Sequence, residues 1–273
     1  MRIGYAEYGN PNGFPVFLFH GNPGSRLCWG LMPGSPFLPN IRIIAPDRPG
    51  YGLTDLKKKA LENWPYDIIE LADHLKIDKF SVFAPSGGGP YALACAWKIP
   101  ERLASVGIFG SVGPNIPEAT TGAIRSLKLL WKISNPLYGL VKLQMRVMAY
   151  LFRKNPEKFL LRLRDLELSE WDKKVFDRPE IRNIFRKDFP EAYRQNGMGS
   201  AYDTTIPANW PILLEQIKMK VHLWHAKPDA LTGNMSEYIS EQLPNSELRV
   251  IPDAGHLWIL DHVGDVLEII IPT

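Results

Sequence analysis

The stretch Phe80-Ser-Val-Phe-Ala-Pro-Ser-Gly-Gly-Gly-Pro-Tyr-Ala-Leu-Ala94 joins a β-branched and aromatic run to a serine set among small residues. Phe80 to Ala84 suit a buried strand, and Tyr91-Ala-Leu-Ala-Cys-Ala-Trp97 has the composition of a buried helix, so Ser86 falls on the turn between them. A tight strand-to-helix turn can hold a serine in a strained conformation with Oγ outward, if the positions two before and two after carry almost no side chain. Gly88 meets the second demand; Ala84 meets the first only approximately. Pro90 suits the first turn of a helix, where its missing N–H costs nothing. The N–H groups of Gly87 and Gly88 then lie near a positive helix end, where an oxyanion could be held. Ser86 is a candidate nucleophile. Short Ser-Gly runs also occur in ordinary loops, so the rest of the chain has to supply a base, an acid and a second oxyanion donor.

On the N-terminal side, Tyr5 to Gly9 and Val16 to Phe19 read as two short strands joined by the Asn10-Pro-Asn-Gly13 turn, a hairpin-like opening. Ile41 to Ala45 is another buried strand, and a helix is predicted from about Leu61 to Leu75. Beyond the serine comes the strand Ala104 to Phe109. Strands and helices alternating at this spacing imply right-handed βαβ units, hence an α/β fold with a mostly parallel sheet and helices on both faces. From Gly113 the pattern changes. Ile124 to Phe152 reads as helical, and charged helical segments broken at Asn155-Pro156, Arg178-Pro179 and Phe189-Pro190 follow. The alternation resumes with a helix before Ile217, the strand Val221 to His225, a helix from about Met235 to Gln242, the strand Glu247 to Ile251 and a last helix from Leu257 to about Ile270. The expected organisation is one sheet domain, residues 1–113 and 206–273, interrupted by an all-helical segment at 114–205.

Composition bounds the function. A 273-residue chain that is 45% hydrophobic and 22% charged has ample core and no bias toward disorder. Its two cysteines, Cys28 and Cys95, lie in apolar surroundings and give neither a disulfide framework nor metal-ligand spacing. A reducing compartment follows, and with no apolar leader and no bilayer-length apolar run the expected location is the cytoplasm. The net charge of +3 hides an asymmetry, since residues 114–205 hold 17 Lys+Arg against 11 Asp+Glu. That excess could face an anionic partner, but it more often marks a solvated face, so membrane association is not expected. No nucleic-acid partner, metal or cofactor is expected either.

A serine hydroxyl is a poor nucleophile at neutral pH and needs a base, itself held and charge-stabilised by a carboxylate. His225-Ala-Lys-Pro-Asp229 puts Asp229 just past one late strand, and Pro252-Asp-Ala-Gly-His256 puts His256 just past another. In a parallel sheet these strand ends share the edge where ligands bind, and the chain order Ser, Asp, His suits such a sheet. Asp253 and Asp261 rival Asp229 as the acid. His74 and His222 read as surface or satisfied core residues, His225 as a support to the site, and His262 as pointing away from it. His20-Gly-Asn-Pro-Gly24 follows the strand ending at Phe19, so Asn22 N–H is the second oxyanion donor beside Gly87 N–H. The same loop lacks the ending of a phosphate-binding Walker motif, and His20 has no partner for a metal.

Taken together, His20-Gly-Asn-Pro-Gly-Ser-Arg26, Pro46-Asp-Arg-Pro-Gly-Tyr-Gly52, Ser86-Gly-Gly-Gly-Pro-Tyr-Ala-Leu-Ala94, Asp229 and Gly255-His256 resemble the α/β-hydrolase superfamily, specifically its lidded serine hydrolases. The resemblance covers the chain outside 114–205. It implies the triad Ser86, Asp229 and His256, the oxyanion donors Asn22 and Gly87, a helical lid at 114–205, and hydrolysis of carboxylic esters or related acyl compounds through an acyl-enzyme. A small hydrophobic ester is the implied partner. Serine at position 86 argues against epoxide and haloalkane hydrolysis, and Ser-Gly-Gly-Gly is unlike the Gly-Gly-Ser-Trp-Gly of prolyl iminopeptidases. Lactonase, thioesterase and acyltransferase activities share the same triad, and a ligand-binding protein on this fold is the alternative from another class. The sequence departs from the pattern at Ala84 and Ala226, where glycine is usual, and it begins late. The first lid helix, with Leu127, Leu130, Trp131, Ile133 and Leu137, is expected to line the acyl pocket, the competing reading being that it docks on anionic membranes.

Overall fold

The computed structural model describes residues 1–32 and 39–272. Seven strands, β1 (Tyr5–Gly9), β2 (Phe14–Leu18), β3 (Ile41–Pro46), β4 (Phe80–Pro85), β5 (Leu103–Phe109), β6 (Val221–Lys227) and β7 (Ser246–Pro252), form one sheet in the order β1-β3-β2-β4-β5-β6-β7. All pairs are parallel except β1 with β3. Around the sheet run α1 (Ala60–His74), α2 (Gly89–Lys98), α10 (Met235–Gln242) and α11 (Ile259–Ile270). Between β5 and β6 lie α3 (Pro117–Thr120), α4 (Arg125–Ser134), α5 (Tyr138–Lys154), α6 (Pro156–Glu167), α7 (Glu170–Phe176), α8 (Pro179–Ala192) and α9 (Met198–Asp203).

The two faces of the sheet carry separate cores. One gathers Phe17, Phe80, Val82, Ala84, Val106 and Leu223 under α1 and α2; the other gathers Val16, Leu18, Ile43, Phe83, Phe109 and Trp224 under α11. Central strands covered on both faces are mostly apolar on both, which is why β2, β4 and the C-terminal half of β5 read as nearly continuous apolar runs, with buried Ser81 satisfied by Ile270 O.

The opening hairpin does not form. β2 is flanked by β3 and β4, and β1 lies beyond β3 at the sheet edge. Val16, Phe17 and Leu18 are fully buried, so β2 needs a neighbour on each side, whereas the half-exposed β1 suits an edge. Three helix expectations also change. The predicted run from Ile124 to Phe152 is two helices, because Pro136 has no N–H with which to continue the ladder. Conversely α8 runs through Pro190, which sits exposed in its last turn while neighbours Phe189 and Tyr193 pack among Phe152, Phe159 and Leu160. Before Ile217 there is only a 3-10 turn, Leu214–Gln216.

Parallel pairing brings the C-terminal ends of β2, β3, β4, β5, β6 and β7 to one edge. Every candidate site residue lies on a loop leaving that edge.

Candidate active site

Ser86 directly follows β4 and opens a 3-10 turn, Ser86–Gly88, that leads into α2. Its φ of 54° is left-handed, a conformation costing a non-glycine residue on the order of 1–3 kcal/mol unless its surroundings impose it. Here they do. A Cβ on Gly88 would lie 2.8 Å from His20 O, 3.0 Å from Phe19 O and 3.2 Å from the Ala84 methyl, so the turn packs against β2 with no room to spare. Ala84 is tolerated because the residue facing it has no side chain.

His256 opens a 3-10 turn beyond β7, and its Nδ1 hydrogen-bonds Asp229 Oδ2 at 2.7 Å. Asp229 is buried; Thr232 Oγ1 donates to it at 2.7 Å, and the N–H groups of Leu231 and Thr232 at 2.9 and 3.2 Å. Burial by itself would raise the Asp229 pKa, but the His256 charge and these hydrogen bonds hold it below the ordinary carboxylate value. Burial would likewise lower His256, yet the Asp229 charge and hydrogen bond outweigh it and keep the imidazole above its usual value. Of the acids weighed, Asp229 is the one in contact with His256: Asp261 binds Arg178 at 2.8 Å, and Asp253 is exposed in the turn after β7. Ser86 and His256 line one cavity, without a direct hydrogen bond between them.

Asn22 and Gly21 line the same cavity. A Cβ on Gly87 would stand 3.3 Å from Asn22 N and 2.8 Å from Asn22 Cβ, so the two residues expected to carry the oxyanion donors pack closely against each other. Neither N–H has a hydrogen-bond partner among the described residues. The loop that carries Asn22 is fixed from beneath by Arg48. Its Nε donates to His20 O at 2.8 Å, its Nη2 to Gly21 O at 2.9 Å, and its backbone N–H to His20 Nε2 at 2.9 Å. His20 Nδ1 contacts Gly21 O at 2.8 Å. Burial first, then the Arg48 charge, pushes the His20 pKa well down, so a neutral ring with the proton on Nδ1 satisfies both contacts.

Among the described residues, four acids of the helical segment reach these loops or the residues beside them. Asp203 receives Arg48 Nη1 at 2.6 Å, Tyr51 OH at 2.6 Å and Tyr91 OH at 2.8 Å. Asp188 receives the hydroxyl and, at 3.2 Å, the N–H of Ser25. Glu191 receives Arg26 Nη1 at 2.6 Å, which also binds Asp47. Asp172 receives Leu257 N–H at 2.6 Å, next to His256, and its carboxylate fills the space a Cβ on Gly255 would need. Sequence reading missed these acids and Thr232. Arg48 and Tyr51 stood inside a quoted motif, but an acid in a charged helix carries no local sign of its direction.

The cavity, about 190 Å³, is walled by Trp29, Met32, Leu160, Leu163, Phe176, Ile184, Phe185 and Phe189, with Asn22, Ser86, Asp188 and His256 as its polar points. Burial, opposed by the Ser25 hydrogen bonds, raises Asp188 to about 7. The walls contributed by the helical segment come from α6, α7 and α8 and the residues joining them. The expectation that α4 lines the pocket is therefore corrected: Leu127 and Trp131 pack on Ala119, Ala123 and Met235, and Leu130 on Val141, Met145 and Ala201.

The other histidines do not meet the serine. His74 is exposed, His222 faces Glu247 at 3.5 Å, and His262 stacks on Trp258 and binds Asp265 at 2.8 Å. His225 is buried within β6, and its Nδ1 has no hydrogen-bond partner among the described residues. Both thiols are free and buried, and among the described residues no three His, Cys, Asp or Glu side chains are grouped to hold a metal.

Comparison with known proteins sets this site in a family. A 2-hydroxymuconate semialdehyde hydrolase from Pseudomonas putida is 28% identical over 258 residues, spanning 92% of this chain and 83% of its own. A pimeloyl-(acyl-carrier protein) methyl ester esterase from Aromatoleum aromaticum is 25% identical over 254 residues, 89% of this chain and 93% of its own. Among solved structures, a thermophilic esterase from Thermogutta terrifontis has the same fold, with a TM-score of 0.69 at 23% identity over 98% of this chain and 91% of that one. The model of the alpha/beta hydrolase family matches residues 16–269, and the chain belongs to that family: it is an alpha/beta hydrolase.

Proposed function

We propose that the protein is a serine hydrolase of carboxylic esters or related acyl compounds, with Ser86 as nucleophile, His256 as general base and Asp229 as the acid that orients it. The observation that carries this reading is a strained left-handed Ser86 sharing one cavity with a histidine whose far nitrogen is 2.7 Å from a buried carboxylate. Ser86 Oγ attacks the substrate carbonyl while His256 Nε2 takes its proton, and Asp229 stabilises the imidazolium that forms. The oxyanion is met by the N–H groups of Asn22 and Gly87. His256 then returns the proton to the departing alkoxide, leaving an acyl-enzyme. Water, deprotonated by the same imidazole, releases the acid and restores Ser86. Residues 114–205 act as a lid whose α6 to α8 walls hold a hydrophobic acyl or aryl group, in line with the apolar lining.

The esterase names among the relatives support the ester, and the same machinery admits lactones and thioesters. A panel of p-nitrophenyl esters of rising chain length, run beside lactones and acyl thioesters, separates these. Ser86→Ala should remove nearly all turnover, by about 10⁶-fold, with the fold unchanged by circular dichroism. A fluorophosphonate should add one adduct to the wild-type protein by intact mass and none to the variant. Near-wild-type rates in Ser86→Ala would locate the nucleophile elsewhere, and a chain that binds these compounds without turning any over would be a ligand-binding protein on this fold.

A further inference from the structure

α5 has two opposed apolar faces. Val141, Met145, Ala149 and Phe152 are buried, whereas Leu140, Leu143, Val147, Tyr150 and Leu151 are 61, 56, 46, 56 and 41% exposed. At 3.6 residues per turn, those five open residues share an arc about 100° wide, opposite the buried arc. Lys142 and Arg146 lie along one flank of that arc, with Arg153 on the same flank donating to Tyr193 O at 3.5 Å and Asn196 Oδ1 at 2.9 Å. The neighbouring α4 adds Leu129, 58% exposed, on a face shared with Arg125, Lys128 and Lys132. Residues 119–156 hold seven Lys and Arg and not one Asp or Glu, and none of the seven makes an ion pair among the described residues. Single exposed leucines are ordinary; a stripe of five on one helix beside unneutralised cations is a surface built for contact.

We propose that this α4–α5 face seats the protein on an anionic lipid bilayer, α5 lying in the surface plane with its stripe at the boundary of headgroups and acyl chains. An apolar stripe edged by Lys and Arg matches the two forces such a surface exerts, apolar burial and attraction to anionic headgroups. A second copy of the chain is a poorer occupant, because a two-fold contact would press two cationic faces lacking any carboxylate against each other. The proposal concerns docking and not spanning: no helix among the described residues is long and apolar enough to cross a membrane. It is independent of the triad.

The test is flotation of the full chain with vesicles of phosphatidylcholine alone or mixed with phosphatidylglycerol. Binding is expected to the mixed vesicles, falling as salt is raised. Replacing Lys132, Lys142 and Arg146 by Gln should weaken partitioning about fivefold for each charge removed. Leu143→Asp, on the open side of α5, should abolish it with the thermal midpoint unchanged. No flotation with the mixed vesicles, or binding that survives Leu143→Asp, would overturn the proposal. So would a concentration-dependent dimer in sedimentation that Leu143→Asp dissolves, which would assign the face to a second copy, or capture of an acidic protein without any affinity for the vesicles.

Discussion

Ala84 and Gly88 divide one small space between them, and that division sets how the serine turn responds to substitution. A Cβ at position 88 would meet His20 O at 2.8 Å as well as the Ala84 methyl at 3.2 Å. Gly88→Ala should therefore displace the turn and remove activity, and Ala84→Val should do the same by adding bulk to a fully buried position. Ala84→Gly should leave kcat/KM unchanged or raise it. An active Ala84→Val enzyme would mean that Ser86 does not need this turn. Asp229 yields a second test at the same scale. Turnover of a neutral ester should fall as pH drops through the His256 pKa, since only the neutral imidazole can accept the serine proton. Asp229→Asn removes the charge that holds this pKa up and leaves burial to lower it. The acid limb of kcat/KM should move to lower pH while the plateau falls on the order of 10⁴-fold. An unmoved limb would detach Asp229 from His256. Ser86, Asp229 and His256 could be singled out in the sequence because each stands at the end of an apolar run. Asp172, Asp188 and Asp203 could not, because they lie in helices where acids are common and direction is unmarked.

Strand identity and helix identity were readable from apolar runs and punctuation, but partnership was not. The Asn10-Pro-Asn-Gly13 turn favours a hairpin locally, and full burial of Val16 to Leu18 overrides it by requiring a strand on either side. Proline was an uneven guide for a related reason. Pro136 ends a helix whose ladder needs its N–H, while Pro190 stands close enough to the end of α8 that aromatic packing around it carries the last turn. Both apolar sides of α5 were visible as composition, yet which side the chain would cover depends on contacts with α6 and α9. Apolar content alone favours α4 as the pocket wall. Tertiary packing instead spends that face on Met235 and Met145 and gives the cavity to α6, α7 and α8.

Across the molecule, the charge asymmetry of residues 114–205 has a structural account. Asp172, Asp188, Glu191 and Asp203 turn inward onto the loops of the sheet edge, so cations dominate what remains outside. The Arg48–Asp203 pair is deeply buried, with both side chains at most 3% exposed. Asp203→Asn should leave a buried guanidinium unpaired and lower stability to urea by about 3–5 kcal/mol. Arg48→Met combined with Asp203→Leu strands no charge and should regain part of that loss, the remainder reflecting the acceptor lost by the Tyr51 and Tyr91 hydroxyls. The double variant should stay slow even so, since the carbonyls of His20 and Gly21 lose the guanidinium that holds the Asn22 loop. Recovery of stability and rate together would show that Arg48 serves the fold alone.

Those inward carboxylates also bear on modularity. A helical segment grafted in place of residues 114–205 without carboxylates at these four positions would leave Ser25, Arg26, Arg48 and the Leu257 N–H without those acceptors. The graft would have to carry four carboxylates in register, or the receiving sheet would have to surrender two arginines, before the exchange could yield an ordered cleft. In this protein the helices and the sheet edge are thus mechanically interdependent, and an exchange of residues 114–205 has to preserve both sides of these four contacts.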